Sequence, residues 1–174
     1  MLPPGFRYDP HFLTKEEHDT LLGELERVDY GPVRMFGVVA NRRVRHYGYD
    51  YTYDSRSVEK TREPPAFIQR LREKANARGF EEVLVTHYPQ GAQIGWHRDA
   101  RPFGPDVIGI SFGSEATMRF RLPPATKTMA SVTLEPGSLY VIGGDAREKW
   151  HHALSPVKGE RYSVTFRTLR QRKS

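Results

Sequence analysis

The sequence contains no cysteine, and this excludes several classes of protein before any motif is considered. Disulfide-stapled folds, thiolate zinc sites, iron–sulfur clusters and cysteine nucleophiles all need that side chain. Long apolar runs are missing too, since none approaches the roughly 20 residues that a membrane-spanning helix needs. The first residues lack the basic head and apolar stretch of a signal peptide. We therefore expect a cytoplasmic protein that does not span a membrane.

No internal repeat, low-complexity tract or linker divides the 174 residues. A chain of this length suits one compact domain, which buries roughly two-thirds of its unfolded surface and needs no disulfides for its core. The sequence therefore predicts a single domain over residues 1–174, and we expect it to act as a monomer.

Basic residues outnumber acidic ones by 27 to 21, which gives a formal net charge of +6. Such an excess favours anionic partners, nucleic acid first, because phosphate attraction and counterion release strengthen binding. The charge alone leaves another interpretation open, a soluble protein that is merely basic.

Two helices and a strand pair are predicted in the first half of the chain. A capping box at 14–17 and leucines at helical spacing predict a helix over about 15–27. A second helix is predicted from Pro64-Pro65 to Gly79, since glycine is favourable just past a helix end. Between the helices, residues 42–54 alternate like a strand pair, with four tyrosines on one parity: Tyr47, Tyr49, Tyr51 and Tyr53.

The second half of the chain is predicted to consist of strands separated by turns. These strands are Val83–Tyr88, Ile94–Asp99, Val107–Phe112, Thr117–Arg121, Val132–Leu134, Leu139–Ile142 and Tyr162–Leu169. Short strands at this spacing are typical of a barrel or a double-sheet jelly roll. The expected fold class is mainly β (α+β), with N-terminal helices and a candidate β lid in 1–80 and a jelly-roll core in 81–170.

One of these strands carries a pair of metal-binding residue types. Residues two apart on a strand point to the same face, so His97 and Asp99 can direct an imidazole and a carboxylate at one point. A distant histidine would complete a two-histidine, one-carboxylate triad, which leaves positions of an iron(II) ion open. The pair alone is weak evidence, since such pairs arise by chance. His151 and His152 are both candidates for the third ligand, on opposite faces of any strand.

The last predicted strand has one polar face and one apolar face. A basic, polar face fits a strand that lines a cavity for a dicarboxylate, because guanidinium groups bind carboxylates bidentately. An ordinary half-exposed strand with solvated arginines is the alternative. The polar face consists of Arg161, Ser163, Thr165 and Arg167.

Together these motifs resemble the AlkB family of iron(II)- and 2-oxoglutarate-dependent dioxygenases, over about residues 35–170. That family shows His-x-Asp, a distant His, and Arg-x-(Asn/Ser)-x-Thr-x-Arg near the C-terminus, in that order. The resemblance implies a double-stranded β-helix (jelly roll), with Fe(II) as cofactor and 2-oxoglutarate and O2 as co-substrates. It also implies the metal ligands, which are at the same time the catalytic residues: His97, Asp99 and His152.

His152 is preferred to His151 because the family pattern around the ligand is aromatic, any residue, His, small, aliphatic. The resemblance further implies that Arg161 binds the far carboxylate of 2-oxoglutarate and that Arg167 lies near its keto-acid end. Tyr88 is implied to help seat the co-substrate, and we expect Ser163 and Thr165 to line its site.

Three segments are most similar to the family members that hydroxylate wobble uridines of tRNA: 42–49, 113–115 and 165–171. Two positions depart from the family pattern. Thr86 stands where many members have an asparagine that helps bind 2-oxoglutarate. Arg101 stands where DNA-repair members have an aspartate that reads adenine, so efficient repair of 1-methyladenine is not implied. Contact with a phosphate, contact with an acidic substituent and simple solvation stay equally open for Arg101.

The charge and the resemblance predict an enzyme that hydroxylates or oxidatively dealkylates a modified nucleobase in DNA or RNA, as in alkylation repair or tRNA modification. Candidate substrate contacts are Arg42, Arg43, Tyr47, Tyr49 and Arg101. The tyrosines fit a packed sheet face equally well. Two other functions are weighed, oxidation or demethylation of a protein side chain and a binding module with an inactive metal site.

Overall fold

The computed structural model describes residues 1–52 and 55–170. Tyr53, expected to share a face with the other tyrosines, and Asp54 lie outside the described residues, as does the segment 171–174. Within the described part, the strands are β1 Phe6–Asp9, β2 Gly31–Met35, β3 Val38–Tyr47, β4 Tyr49–Thr52, β5 Ser57–Lys60, β6 Glu82–Tyr88, β7 Ile94–His97, β8 Phe103–Gly113, β9 Ala116–Arg121, β10 Ala130–Leu134, β11 Leu139–Ile142, β12 His151–Leu154 and β13 Arg161–Leu169. The helices are α1 Lys15–Glu26, α2 Ala66–Lys74 and α3 Gly144–Glu148.

Two antiparallel sheets form the core of the fold. The larger sheet has the strand order β1-β11-β8-β13-β6-β3-β2, and the smaller has the order β10-β9-β12-β7. From β6 to β13 the chain passes back and forth between the two sheets. An apolar cluster between them takes Tyr88, Val107 and Tyr140 from the larger sheet and Met118 and Phe120 from the smaller. This arrangement confirms the predicted jelly roll.

The helices α1 and α2 cover the outer face of the larger sheet. Leu25 of α1 and Ile68 of α2 are fully buried there, in one cluster with Val164 and Phe166 of β13. The apolar face of β13 therefore packs under the helices, and its alternate residues point to the space between the sheets. The alternation of polar and apolar residues along β13 therefore directs its polar side chains to the space between the sheets.

Helix α1 agrees with its prediction, and α2 ends before the predicted residue. The capping box of α1 is present, with Thr14 and Glu17 each accepting a hydrogen bond from the other's backbone N–H. The helix α2 ends at Lys74, so the prediction that it continues to Gly79 was wrong. Asn76 has a φ of 54° and takes the left-handed position that closes the helix. The N–H of Ala77 then reaches back to the carbonyl of Arg72, 2.9 Å away.

The predicted strand pair in 42–54 forms two separate hairpins. β2 and β3 pair with each other and extend the larger sheet through β6, whereas β4 pairs with β5. Gly48 separates β3 from β4 with a φ of 73°, and a Cβ there would lie 1.9 Å from the carbonyl oxygen of Glu81. Because β3 ends before this turn, Tyr47 and Tyr51 do not share one face, and Tyr51 lines the cavity described below. Tyr47 packs in the helix-side core.

Candidate active site

Two of the predicted metal ligands lie at the end of β7. His97 is the last residue of the strand and Asp99 follows in the connecting loop, so the strand is two residues shorter than predicted. The Nδ1 atom of His97 lies 2.8 Å from the carbonyl oxygen of Gly95. A carbonyl oxygen only accepts, so Nδ1 carries the proton and Nε2 is left with a lone pair for a metal.

The third histidine comes from the neighbouring strand. His152 of β12 pairs in register with His97, and the two imidazole centroids are 4.3 Å apart. One potential ligand atom from each of His97, Asp99 and His152 lies within 4.8 Å of the others. His151 pairs in register with Arg121 and is not part of this group. The geometry thus favours His152 over His151, in agreement with the family pattern.

Burial and charge hold His152 and Asp99 in the ionisation states that a metal needs. Burial, followed by the positive field of His97, lowers the pKa of His152 to about 3. Burial raises the pKa of Asp99, but His152, Arg167 and His97 outweigh this and hold that pKa below its ordinary value. A neutral imidazole and an ionised carboxylate are the forms that coordinate a metal ion.

Arg147 holds the loop that carries Asp99, and the sequence analysis did not single it out. The guanidinium of this buried residue donates to four backbone carbonyls, those of Asp99, Ala100, Phe103 and Gly104, at 3.1–3.3 Å. A cation within a short helix gives no periodic signal, so the sequence pattern could not reveal this role. The turn residues at 102–105 predicted a loop, whereas β8 begins at Phe103 within this segment.

The ligand group lines a cavity of about 520 Å³ between the two sheets. Apolar side chains from both sheets cover much of its wall, among them Val107, Met118, Ile142 and Leu154. Such a wall limits the access of water, while a few polar groups fix the orientation of a ligand. Besides the metal ligands, the polar side chains from the larger sheet are Arg42, Thr86, Tyr88, Tyr140, Arg161, Thr165 and Arg167.

Arg161 presents unsatisfied hydrogen-bond donors to this cavity. Its side chain is 1% exposed, and its Nη2 donates to the hydroxyl of Ser111 over 2.9 Å. Within residues 1–52 and 55–170, its Nε and Nη1 atoms are buried and have no partner. The ring of Tyr88, which pairs in register with Arg161, lies 4.7 Å from the guanidinium carbon. An unpaired buried cation is costly, so a carboxylate is the fitting ligand.

Arg167 already has a carboxylate partner. Its Nε and Nη2 bind the two oxygens of Glu82 at 2.7 and 2.8 Å, and both residues are buried. Its Nη1 is 3.8 Å from Asp99, and its guanidinium lies 3.7 Å from the ring centroid of Phe103. Arg167 therefore lies beside the metal ligands, as expected for the keto-acid end, but it is held by an acidic residue that the sequence analysis missed.

The other two polar residues of β13 have different positions. Thr165 lines the cavity, as does Tyr140. The Tyr140 ring crosses the strand at Gly109, where a Cβ would lie 2.1 Å from the ring. A glycine within a strand can mark the close approach of another group. Gly109 was therefore the sequence signal from which a large side chain at this position, that of Tyr140, could have been expected. Ser163 is buried between the strands but is not one of the cavity's lining residues.

Only Arg42 of the predicted substrate residues lines the cavity. Arg43 donates instead to the carbonyl of Tyr30 over 2.7 Å. Tyr47 belongs to the core, so its expected place in a substrate lid was wrong. Tyr49 lies in the β4–β5 hairpin and Arg101 is exposed; neither reaches the cavity.

Two other residues near Arg42 do reach the cavity. Met35 lines it and lies 3.7 Å from Arg42, and Tyr51 packs edge-on against Phe103. The hairpin tip beyond Met35 exposes Phe36 and Val38. The β2–β3 and β4–β5 hairpins therefore form one rim of the cavity, through residues other than most of those predicted.

The residues fit the cofactors that the family implies. Two imidazoles and a carboxylate that leave other positions open are the donor set of non-haem iron(II) oxygenases. The unpartnered Nε and Nη1 atoms of Arg161 in the same cavity fit the far carboxylate of a keto acid. The fold and site thus define a jelly-roll protein of the mononuclear non-haem iron class.

Comparison with known proteins gives the family. Residues 5–167 match the model of the 2OG-Fe(II) oxygenase superfamily. An alkB homolog 7 from Mus musculus, named a mitochondrial alpha-ketoglutarate-dependent dioxygenase, is 31% identical over 185 residues, which cover 92% of this chain and 76% of that protein. The chain belongs to the 2OG-Fe(II) oxygenase superfamily and is an oxidoreductase of the AlkB type.

Two further relatives define how far the likeness extends. The tRNA (carboxymethyluridine(34)-5-O)-methyltransferase alkbh8 of Xenopus tropicalis is 28% identical over 168 residues, which cover 90% of this chain but 26% of that protein. The chain therefore spans about a quarter of that relative. The structure of OsALKBH1 shares the fold, with a TM-score of 0.71, 17% identity and coverage of 97% of this chain and 98% of that one. None of the helices among the described residues has the length and apolar character to cross a bilayer.

Proposed function

We propose that this chain is an iron(II)- and 2-oxoglutarate-dependent dioxygenase that hydroxylates or oxidatively dealkylates a modified nucleobase in DNA or RNA. One observation carries the proposal: a group of three metal-ligand side chains and the unpartnered edge of Arg161 share one cavity. In this proposal residues 81–170 supply the catalytic core and residues 1–80 supply the helices and the substrate lid. The expectations of a monomer and of a cytoplasmic location stay predictions.

Each residue has a distinct role in this proposal. His97, Asp99 and His152 hold the metal, and the hydrogen bond from His97 to Gly95 fixes the orientation of that imidazole. Arg161 and Tyr88 bind the far carboxylate of the keto acid. Iron(II), 2-oxoglutarate and dioxygen together supply the oxidant, so that one oxygen atom enters a substrate C–H bond and the other enters succinate, with loss of carbon dioxide.

Arg167 and Thr165 complete the keto-acid site from the same strand. The Nη1 atom of Arg167 lies close enough to Asp99 to orient this ligand and a neighbouring carboxylate together. The buried Glu82 keeps the guanidinium from turning away. The apolar cavity wall excludes water, which strengthens each of these charge interactions.

Three features support a nucleic acid as substrate. The chain carries a net charge of +6. Arg42 and Tyr51 lie at the rim of the cavity, where a cation and an aromatic ring suit a phosphate and an extruded base. The relative from Xenopus tropicalis is named for a uridine of tRNA. No comparable feature of the described residues favours the alternative, a protein side chain.

The test combines cosubstrate turnover with product analysis. Purified protein with iron(II) and 2-oxoglutarate is incubated with total tRNA and with methylated DNA and RNA oligonucleotides. Succinate is measured, and nucleosides are analysed by mass spectrometry. We expect succinate together with the gain of an oxygen atom or the loss of a methyl group on one nucleoside class. Asp99→Ala should abolish both, whereas the exposed control Glu16→Ala should leave both unchanged.

Two results would overturn parts of the proposal separately. Equal succinate formation by the wild type and Asp99→Ala would rule out the metal assignment. Succinate formation that depends on Asp99, with oxidation of an added protein and of no nucleic acid, would leave the metal site intact and rule out the nucleobase.

A further inference from the structure

The outer face of the smaller sheet carries a cationic and aromatic cluster outside the cavity. On β9, Arg119 and Arg121 alternate with Met118 and Phe120, which are buried inside the jelly roll. The two arginines therefore point outward. Their guanidinium carbons lie 5.1 and 4.6 Å from the ring centroid of Trp96 on β7. We call Trp96, Arg119 and Arg121 the outer basic face.

The two arginines of this face have no acidic partner within the described residues. Other arginines are neutralised, as Arg167 is by Glu82 and Arg170 by Glu148. For Arg119 and Arg121 the described part of the chain gives no ion pair, and their buried Nε atoms have no hydrogen-bond partner. Arg121 donates a hydrogen bond to the carbonyl of Thr126 over 3.1 Å, and a neutral acceptor leaves its charge uncompensated.

Trp96 holds the two guanidinium groups of Arg119 and Arg121 together on one face of the smaller sheet. Cations concentrated on one face without counter-charges attract anions rather than stabilise the fold. The face is therefore suited to an anionic ligand.

The outer basic face is continuous with the mouth of the catalytic cavity. Trp96 belongs to the outer basic face and is also one of the residues that line the cavity. Gly95 and Arg98, close to it in the sequence, line the cavity as well. The two hairpins, with Arg42 and Tyr51, bound the cavity elsewhere. A polymer with one unit inserted in the cavity could therefore meet Trp96 and the two arginines where it leaves the mouth on this side.

We propose that the outer basic face binds the sugar-phosphate backbone of a single-stranded nucleic acid next to the nucleotide that enters the cavity. This rests on the proposed function, since it assumes that the substrate is a nucleic acid. Guanidinium groups bind phosphate oxygens through paired donors, and an arginine-aromatic surface is the kind that tracks single strands without reading sequence. The face thus supplies affinity for the strand, and the cavity selects the base.

The decisive measurement is the salt dependence of binding. Fluorescence anisotropy of a labelled single-stranded 12-nucleotide RNA is followed with the iron- and 2-oxoglutarate-loaded protein, under anaerobic conditions, over a range of salt concentrations. The variant Arg119→Gln with Arg121→Gln removes two charges from the face. Two exposed arginines away from it, Arg7 and Arg78, give the matched control as Arg7→Gln with Arg78→Gln.

We expect the face variant to bind roughly tenfold more weakly, with a plot of log K against log salt that is shallower by about 1.4, the value for two lost single-strand phosphate contacts. The control should keep the wild-type slope. Because loss of the glutamine variant's fold would also weaken binding, Arg119→Lys with Arg121→Lys is included. This variant keeps the charges and should keep the slope, and thermal unfolding of all variants is measured in parallel.

Each other outcome counts against the proposal in a distinguishable way. An unchanged slope and affinity in the face variant, with a wild type that binds RNA, would overturn the outer basic face and leave the proposed function standing. A wild type that binds neither RNA nor DNA would overturn both. Binding of labelled poly-glutamate is measured in the same way. If the face variant loses as much affinity for poly-glutamate as for RNA, the face binds acidic polymers in general, and the assignment to nucleic acid would be overturned.

Discussion

Arg147 donates a hydrogen bond to the backbone carbonyl of Asp99 over 3.2 Å. The same guanidinium binds the carbonyl of Ala100 in the loop that follows and those of Phe103 and Gly104 at the start of β8, and the residue is 5% exposed. Arg147 lies in α3, five positions before His152. It therefore ties the segment that carries the carboxylate ligand to the segment that carries the second histidine.

This relationship predicts that Arg147 acts as a positioning residue for the metal. In Arg147→Lys the charge is kept, but an ammonium cannot span four carbonyls as a planar guanidinium does. We expect iron(II) affinity to fall about 10–100-fold, the range found when groups that orient metal ligands are removed. Affinity is measured anaerobically by competition with a chelator, and Lys149→Arg serves as the control. Iron(II) affinity equal to that of the wild type would show that Arg147 has a structural role only.

The unpartnered edge of Arg161 predicts selective loss of 2-oxoglutarate binding when it is replaced. In Arg161→Met the carboxylate loses hydrogen bonds to a charged group, worth about 1.5–3 kcal/mol each, so KM for 2-oxoglutarate should rise at least tenfold. Iron(II) affinity should stay within twofold of the wild type. Succinate or acetate formation is measured with 2-oxoglutarate and with pyruvate, which lacks the far carboxylate. Preference for the dicarboxylate should disappear in the variant, and its persistence would contradict the assignment.

The parts of the fold that follow a local period could be predicted from the sequence. Alternation along β13 placed Val164 and Phe166 under the helices and Arg161 and Thr165 in the cavity, because a strand turns alternate residues to opposite faces. His97 and Asp99 converge as expected although Asp99 lies beyond the strand. The spacing of two residues was sufficient to predict that these two side chains converge, even though the backbone at Asp99 is not that of a regular strand.

Features set by tertiary contacts could not be predicted in the same way. Tyr47 matched the pattern of an exposed lid, yet the turn at Gly48 places it in the core. Glu82 begins a strand like any charged terminal residue, and only the register of β6 with β13 brings it to Arg167. Both outcomes depend on residues far away in the sequence, so no local pattern contains them.

The buried pair of Glu82 and Arg167 predicts a stability effect that is separate from catalysis. Glu82→Gln removes the carboxylate that binds Arg167 at 2.7 and 2.8 Å and leaves Asp99, 3.8 Å away, as a more distant counter-charge. Breaking a buried pair by removing one partner costs about 3–5 kcal/mol. Urea unfolding of the metal-free protein should show a lower midpoint with an unchanged m-value. The double variant with Arg167→Gln should be more stable than the sum of the two single changes implies. Strict additivity would show that the pair is not coupled.

The depressed pKa of His152 predicts how acid affects the metal-free protein. In the folded state this pKa is about 3, whereas its ordinary value is 6.5, so between these values the unfolded state binds more protons. Stability therefore falls as the pH drops through this window, by at most about 1.4 kcal/mol per pH unit. Between pH 7 and pH 5 we expect the wild type to lose about 2 kcal/mol more than His152→Gln, which lacks the titrating group.

Urea unfolding of the metal-free wild type, His152→Gln and the exposed control His11→Gln at both pH values measures this difference. His11→Gln should lose stability in parallel with the wild type, because it leaves the buried imidazole of His152 in place. The same pH dependence in all three proteins would contradict the assignment, because a buried imidazole that stays neutral in the fold must oppose folding in acid. Such a result would mean that His152 takes up its proton without unfolding, and therefore that solvent reaches the second imidazole ligand in the folded protein.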